Sequence, residues 1–205
     1  HQYISRCQYL LQQGNFVADF VYFTGEDAGV YTKVAPEELN PSPPAGYDYD
    51  LINAEVLLKK TKVVNGQLVL TDGMRYNLLI LQEQRTMSLE LIRKIRELVS
   101  AGLVVVGTKP ERTPGLRHQA DGDAEFLQIA NELWGAFNPK TITENKIGSG
   151  HVYWGQSLET ILNNQQIKRD FEVTSHSGDA PITYIHRNDG DADFYFIANQ
   201  RRTTE

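Results

Sequence analysis

The sequence predicts an α/β fold in which helices cover a mainly parallel sheet and a β-hairpin is appended. The main observation is a strand–helix–strand unit in residues 76–110. Apolar runs at 78–81 and 103–106 are typical of strands buried on both faces. Between them, Ser88 stands at a helix N-cap position and Gly102 at the end. One helical face then contains Leu91, Ile95, Leu98 and Val99.

The segments before this unit supply a second parallel strand and a hairpin. Residues 1–13 have apolar positions at helical spacing, and residues 16–23 are rich in aromatic and β-branched side chains, which favours a strand. Residues 51–58 are predicted as a helix capped by Asp48 or Asp50. Asn65-Gly66 between two β-rich runs predicts a tight hairpin.

The segments after the unit complete the sheet and end in a second hairpin. Helices are predicted at 123–134 and 157–165, and strands at 140–146, 151–153 and 170–174. Residues 182–186 and 193–198 alternate around the turn Asn188-Asp189-Gly190, which predicts an antiparallel hairpin. The fold class expected is a three-layer α/β sandwich of the flavodoxin-like or class I glutamine-amidotransferase-like kind, with a β-hairpin appendage.

The boundaries of this fold suggest three parts. Residues 1–14 are interpreted as the end of a preceding domain, 15–175 as the α/β domain, and 176–205 as a hairpin that starts a following β domain. Both ends look cut, so the sequence is expected to be a segment of a longer protein.

Composition excludes several classes of function. The 205 residues have a net charge of −6, 40% hydrophobic residues and 22% charged residues, as in ordinary soluble domains. No apolar run approaches the roughly 18 residues of a membrane span. The longest basic cluster, Lys59-Lys60-Thr61-Lys62, is too short to indicate nucleic-acid binding. The single cysteine, Cys7, excludes an internal disulfide framework but does not fix the compartment.

Motifs for cofactors, nucleophiles and metals are missing. The chain has neither a GxGxxG nor a P-loop motif, and Gly25 and Gly29 bracket the carboxylates of Glu26 and Asp27, which would repel a phosphate. No nucleophile elbow follows a strand, and Cys7 is interpreted as a buried structural residue. The scattered histidines lack ligand spacing, and residues 188–193 are interpreted as a turn rather than a calcium loop. No cofactor and no metal are therefore expected.

Two groups of carboxylates remain as candidate site residues. Glu26 and Asp27 follow a strand, at the sheet edge where ligands usually bind. Asp48 and Asp50 are flanked by aromatic rings that can stack on a sugar, those of Tyr47 and Tyr49. An acid pair of this kind can hydrolyse a glycoside when the spacing in space is right. The interpretation preferred for both groups is helix capping and solvated loop charge.

An ordered series of segments resembles one family of enzymes. It comprises residues 9–14 and 19–26, the run 46–58, the stretch 68–114 with Asp72-Gly73-Met74-Arg75-Tyr76 and Gly107-Thr108-Lys109-Pro110, and residues 185–196. This series resembles the large bacterial α-L-rhamnosidases of glycoside hydrolase family 106.

The resemblance implies an accessory role. In that family the catalytic carboxylates belong to an (α/β)₈ barrel, followed by an α/β domain similar to the glutamine-amidotransferase-like domain of β-galactosidases and then by β-sandwiches. The expected partners are thus the barrel and β-sandwich domains of the same chain and a rhamnose-containing glycan, in the periplasm or outside the cell. The alternatives are a carbohydrate-binding module using Tyr47, Tyr49 and Trp154, or a small hydrolase using Cys7 or the Glu26/Asp27 pair.

Overall fold

The computed structural model describes residues 1–26, 35–114, 120–135, 138, 143–174 and 182–200, with the side chains of 120 and 121 left out. These residues form a mixed α/β structure around a mostly parallel six-stranded sheet. The helices are α1 (Gln2–Leu11), α2 (Ala54–Lys60), α3 (Leu89–Ser100), α4 (Ala120–Trp134) and α5 (Leu158–Asn164). The strands are β1 (Asn15–Phe16), β2 (Phe20–Phe23), β3 (Tyr49–Ile52), β4 (Thr61–Val64), β5 (Gln67–Leu70), β6 (Arg75–Tyr76), β7 (Leu78–Ile80), β8 (Val104–Val106), β9 (Glu144–Ile147), β10 (Gly150–Tyr153), β11 (Ile182–Asn188) and β12 (Asp193–Asn199).

The six-stranded sheet has the order β3-β2-β7-β8-β10-β9, and only its edge strand β9 is antiparallel. The central strands β7 and β8 pair in parallel, with Leu78 opposite Val104, and all their residues are buried. The predicted strand–helix–strand unit is therefore confirmed as β7–α3–β8. Its apolar runs are continuous because both faces of these strands are covered.

Helix α3 has the ends and the buried face that the sequence predicts. The Ser88 hydroxyl accepts a hydrogen bond from the Leu91 N–H at 3.2 Å, as an N-cap does. Gly102 follows the helix with a φ of +111°, a conformation that favours glycine. The buried face comprises Leu91, Ile92, Ile95, Leu98 and Val99.

Apolar cores lie on both faces of the sheet. On one face α3 and α4 pack together, and Phe126, Ile129, Leu133 and Trp134 of α4 are buried there. The other face is covered by α5, whose Leu158, Ile161 and Leu162 are buried with β2, β7 and β8. The sheet is thus enclosed between helices on its two faces.

Two small antiparallel sheets flank the main one. The first has the order β4-β5-β6, and its hairpin turns at Asn65 (φ +54°) and Gly66 (φ +81°), which confirms the predicted tight turn. The second has the order β1-β11-β12 and contains the predicted C-terminal hairpin. Strand β1 pairs with β11, so the strand predicted over residues 16–23 is divided between two sheets.

Three other predictions about elements were wrong. Residues 51 and 52, predicted as the start of a helix, belong instead to β3, which pairs with β2 with Tyr49 opposite Phe20. The cap of α2 is Asn53, which accepts from the Val56 N–H at 2.9 Å, and neither Asp48 nor Asp50 caps it. Residues 170–174 are not a strand, since the N–H groups of Asp170 and Phe171 both donate to the Gly46 carbonyl.

Helix α1 differs from the other helices because none of its residues is buried. Cys7 is only half-buried, so the interpretation of a buried structural cysteine was wrong. Among the described residues, no helix is long and apolar enough to cross a membrane.

Candidate functional site

The parallel strands all begin at one end of the sheet and all end at the other. We call the edge at which β2, β3, β7, β8 and β10 end the carboxyl edge, and the edge at which they begin the amino edge. In open α/β sheets ligands usually bind outside the carboxyl ends of the strands. The candidate residues from the sequence are divided between these edges.

Glu26 lies at the carboxyl edge, three residues after β2, where it supports a helix. Its carboxylate accepts hydrogen bonds from the backbone N–H of Ser88, at 2.7 Å, and from the Ser88 hydroxyl. Ser88 is itself the N-cap of α3, so Glu26 places a negative charge at the positive end of that helix. In the structure the Glu26 carboxylate is thus engaged with the N-terminus of α3. Asp27 lies outside the described residues.

The other four candidates lie at the amino edge. The Tyr47 hydroxyl donates to the Ile167 carbonyl at 2.9 Å, and the Tyr49 ring makes an edge contact with Tyr22, their centroids 5.5 Å apart. Asp48 accepts from the Tyr49 N–H at 2.9 Å. Asp50 accepts from the Tyr76 hydroxyl at 2.8 Å. These side chains are engaged in packing and hydrogen bonding.

The structure thus does not bring Glu26 together with Asp48 and Asp50. Four-residue strands, about 13 Å long, separate the two edges, because Phe20 pairs with Tyr49 and Phe23 with Ile52. One sugar ring cannot contact both groups. The proposed stacking residue Trp154 is only 2% exposed, so it offers no face to a ligand.

A cleft of about 540 Å³ occupies the carboxyl edge where β7 and β8 end. Its loops are joined by hydrogen bonds, since the Glu111 N–H donates to the Arg85 carbonyl at 2.9 Å. The lining mixes two cations, two carboxylates, a hydroxyl and apolar groups: Glu83, Arg85, Thr108, Lys109, Pro110, Glu111 and Leu127. Leu127 is 49% exposed and supplies apolar surface to the lining. The lining can donate and accept hydrogen bonds around an apolar surface.

Strained backbone lies beside this cleft. Gln82, two residues after β7, has a φ of +53°, which costs a non-glycine residue about 1–3 kcal/mol. The side-chain amide of Gln82 donates to the Phe23 carbonyl at 3.1 Å and so holds the loop after β7 against β2. Sequence reasoning missed Gln82 because residues whose backbone adopts the left-handed helical conformation are usually glycine or asparagine. Such strain often accompanies functional loops.

A second polar cluster links the amino edge to the hairpin sheet. His186 is buried, and its Nδ1 lies 2.9 Å from an Asp170 carboxylate oxygen while its Nε2 lies 2.9 Å from Asp193. Both nitrogens donate only when the ring is doubly protonated. The Tyr195 ring stacks on His186, with centroids 4.1 Å apart, and its hydroxyl donates to Asp170. Sequence reasoning missed this cluster because its members come from distant segments.

The carboxyl group of Asp19 adjoins this cluster. The pKa of Asp19 is raised to about 7, chiefly by burial and also by the charges of Asp170 and Asp48, against the lowering effects of the Asp48 N–H and of His186. Burial likewise raises the pKa of Asp48. Among the described residues, no group of three or more His, Cys, Asp or Glu side chains is arranged to hold a metal ion. The hydrogen bonds of the cluster thus attach the hairpin sheet to the loop that contains Asp170.

Two relatives are similar to this chain over nearly its whole length. A protein described as a putative beta-glucuronidase, from Formosa agariphila, is 36% identical over 200 residues, which is 98% of this chain and 16% of that protein. The structure of a rhamnosidase from Novosphingobium sp. PP1Y superposes with a TM-score of 0.81 at 33% identity, over 97% of this chain and 18% of that one. The chain thus spans less than a fifth of the length of these relatives.

The model of one family matches the chain from residue 1 to residue 205, and its description is alpha-L-rhamnosidase. The match covers the carboxyl-edge cleft, the amino-edge cluster and the hairpin alike. This chain belongs to glycoside hydrolase family 106, the alpha-L-rhamnosidases.

Proposed function

We propose that the chain is a non-catalytic accessory domain of a multidomain α-L-rhamnosidase, which braces neighbouring domains of the enzyme. The observation behind this proposal is that the family match covers all 205 residues, whereas the chain spans only 16% and 18% of two relatives. Most of such a protein lies outside the matched region. Its reacting groups then have ample room elsewhere in the chain.

The state of the carboxylates supports a non-catalytic role. A glycosidase of the usual type needs two carboxyl groups about 5–9.5 Å apart on either side of one glycosidic bond. Glu26 caps α3, and Asp50 is held by Tyr76 at the opposite edge of the sheet. These groups act as acceptors for protein donors, so they are poorly placed to protonate a leaving group or activate water.

We also propose that the fold is flavodoxin-like, of the class I glutamine-amidotransferase-like kind. The five parallel strands, numbered in chain order, have the spatial order 2-1-3-4-5, which is the order of doubly wound flavodoxin-like sheets. In such a fold the carboxyl-edge cleft lies where a ligand would bind. We infer that this cleft, rather than the Tyr47–Asp50 segment, closes one side of the enzyme's glycan-binding groove.

The domain boundaries and the compartment are parts of the same proposal. Residues 1–14 would belong to a preceding catalytic barrel, 15–175 to the accessory domain and 176–205 to a following β-sandwich. The substrate would be a rhamnose-containing glycan in the periplasm or outside the cell.

The test is an assay of hydrolysis with an aryl α-L-rhamnoside, applied to residues 1–205 and to the full-length enzyme. We expect the full-length enzyme to hydrolyse the substrate and the segment to release product at the rate of buffer alone. Circular dichroism and denaturant unfolding provide the control that the segment is folded. Hydrolysis by the segment well above the buffer rate, abolished by Glu26→Gln, would show that the domain is itself catalytic.

A further inference from the structure

Helix α1 exposes the face that an amphipathic helix normally buries. Its apolar residues at helical spacing form one stripe: Tyr3, Ile4, Cys7, Leu10 and Leu11. Tyr3 is 74% exposed, Ile4 57% and Leu10 43%. A ten-residue helix is marginally stable in water without tertiary packing. The stripe therefore lacks the contacts that would ordinarily stabilise such a helix.

One face of the hairpin continues this apolar stripe. Side chains alternate along β11 and β12, and one face packs Tyr184 against Phe171 and Tyr195 against His186. The opposite face presents Ile185, Phe194 and Phe196. These residues and the last turn of α1, Leu10 and Leu11, line a groove of about 260 Å³ with Arg187 and Asp193 among its polar groups. We call the α1 stripe and this groove the α1–hairpin surface.

The α1–hairpin surface is fixed in shape although it is uncovered. The Arg187 guanidinium donates to the carbonyl groups of Gln13 and Gly14, directly after α1. Gly14 lies so close to the hairpin that a Cβ built on it would be 2.3 Å from the Asn188 carbonyl oxygen. Phe16 then pairs with Arg187 in the sheet. These contacts fix the chain between helix and hairpin, so little ordering would be needed for another body to pack there.

We propose that the α1–hairpin surface is the interface with the catalytic barrel of the same larger chain, of which α1 would be the last helix. This inference rests on the proposed function, and the length of the relatives supports it, since over four fifths of each lies outside the matched region. Contiguous exposed apolar surface rimmed by polar groups is typical of interfaces between protein bodies. The occupant has an apolar face that meets Ile4, Leu10 and Ile185, with polar groups opposite Arg187 and Asp193.

The experiment is amide hydrogen exchange on the full-length enzyme, read by mass spectrometry on the peptide that contains α1. We expect the α1 amides to be protected, and Ile4→Asp to increase their exchange rate at least tenfold because a carboxylate would be placed in an apolar interface. Ser5→Asp adds the same charge on the opposite face of the helix, and its exchange should stay within twofold of the unmodified enzyme. The amides of α3 provide the internal reference.

Two results would overturn the proposal. One is a lack of the expected exchange pattern: the α1 amides exchange at the rate of an unstructured peptide in the unmodified enzyme, or at the same rate in the Ile4→Asp and Ser5→Asp variants. The other is a full-length dimer, seen by sedimentation velocity, that Ile4→Asp converts to a monomer, since the occupant would then be a second copy. The hydrolysis assay decides the non-catalytic role independently, so either claim can fail without the other.

Discussion

Gly150→Ala is expected to lower the free energy of unfolding by about 3 kcal/mol or more, because overpacking here involves immobile backbone. A Cβ at this position would lie 2.0 Å from the Val99 carbonyl oxygen and 2.8 Å from that of Leu103. Val99 belongs to the buried face of α3, and Leu103 leads into the central strand β8. Relief of the clash would require β10 to move away from β8, its partner in the sheet.

The matched control is Gly190→Ala, which separates steric clash from backbone strain. Gly190 has a φ of +100°, but a Cβ there would meet no heavy atom within 4 Å. We expect Gly190→Ala to lower stability by about 1–2 kcal/mol, from the unfavourable φ alone. Urea denaturation of both variants measures the difference. Equal effects would show that β10 is less tightly held against α3 than the structure indicates.

Asp19→Asn is expected to stabilise the protein above pH 7 and to have little effect near pH 4. Burial raises the pKa of Asp19 to about 7 from an ordinary value of 3.8. Between these values the unfolded chain releases a proton that the folded chain retains, so stability falls as pH rises. Above pH 7 the folded protein bears an ionised, partly buried carboxylate. Asparagine has no such charge, and its side-chain oxygen can still accept the Asp48 N–H.

Discounted for the remaining solvent access of Asp19, the gain at pH 8 should be about 1–3 kcal/mol. The measurement is the free energy of unfolding in urea at pH 4.5, 6, 7 and 8. Asp191→Asn, in the exposed hairpin turn, is the control and should change stability by less than about 0.5 kcal/mol at every pH. A gain that did not grow with pH, or a loss at pH 8, would contradict the assignment of Asp19 as a strained acid.

The elements that sequence reasoning predicted correctly are those specified by local residues. Helix α3 has a cap, an apolar face at helical spacing and a terminating glycine within one short segment. The hairpin at Asn65-Gly66 depends on two adjacent residues that adopt positive φ. In both cases the interactions that favour the observed structure are made between residues close together in the sequence. The mixed α/β class, with its mostly parallel sheet, follows from such elements because parallel strands joined by a helix have few possible arrangements.

The errors occur where distant contacts decide the outcome. Residues 49–52 have a spacing that fits either a helix or a strand, and pairing with β2 selects the strand. The same pairing moves Asp48 and Asp50 to the amino edge, away from Glu26. The His186 ring contacts Asp170, 16 residues earlier in the chain, and no local sequence pattern reveals this contact. Gln82 combines a positive φ with a hydrogen bond from its side-chain amide to the Phe23 carbonyl, and sequence neighbours predict neither.

The central claim, a domain that supports catalysis without performing it, is tested most directly by neutralising its candidate carboxylates within the full-length enzyme. Glu26→Gln, Asp27→Asn, Asp48→Asn and Asp50→Asn would each be assayed for kcat and kcat/KM with an aryl α-L-rhamnoside. Removal of a general acid or base costs about 10²–10⁴-fold in rate. We predict that kcat of each folded variant stays within about threefold of the unmodified enzyme, well below that loss. A folded variant that loses a hundredfold or more in kcat would contradict the account and assign that carboxylate to the reaction.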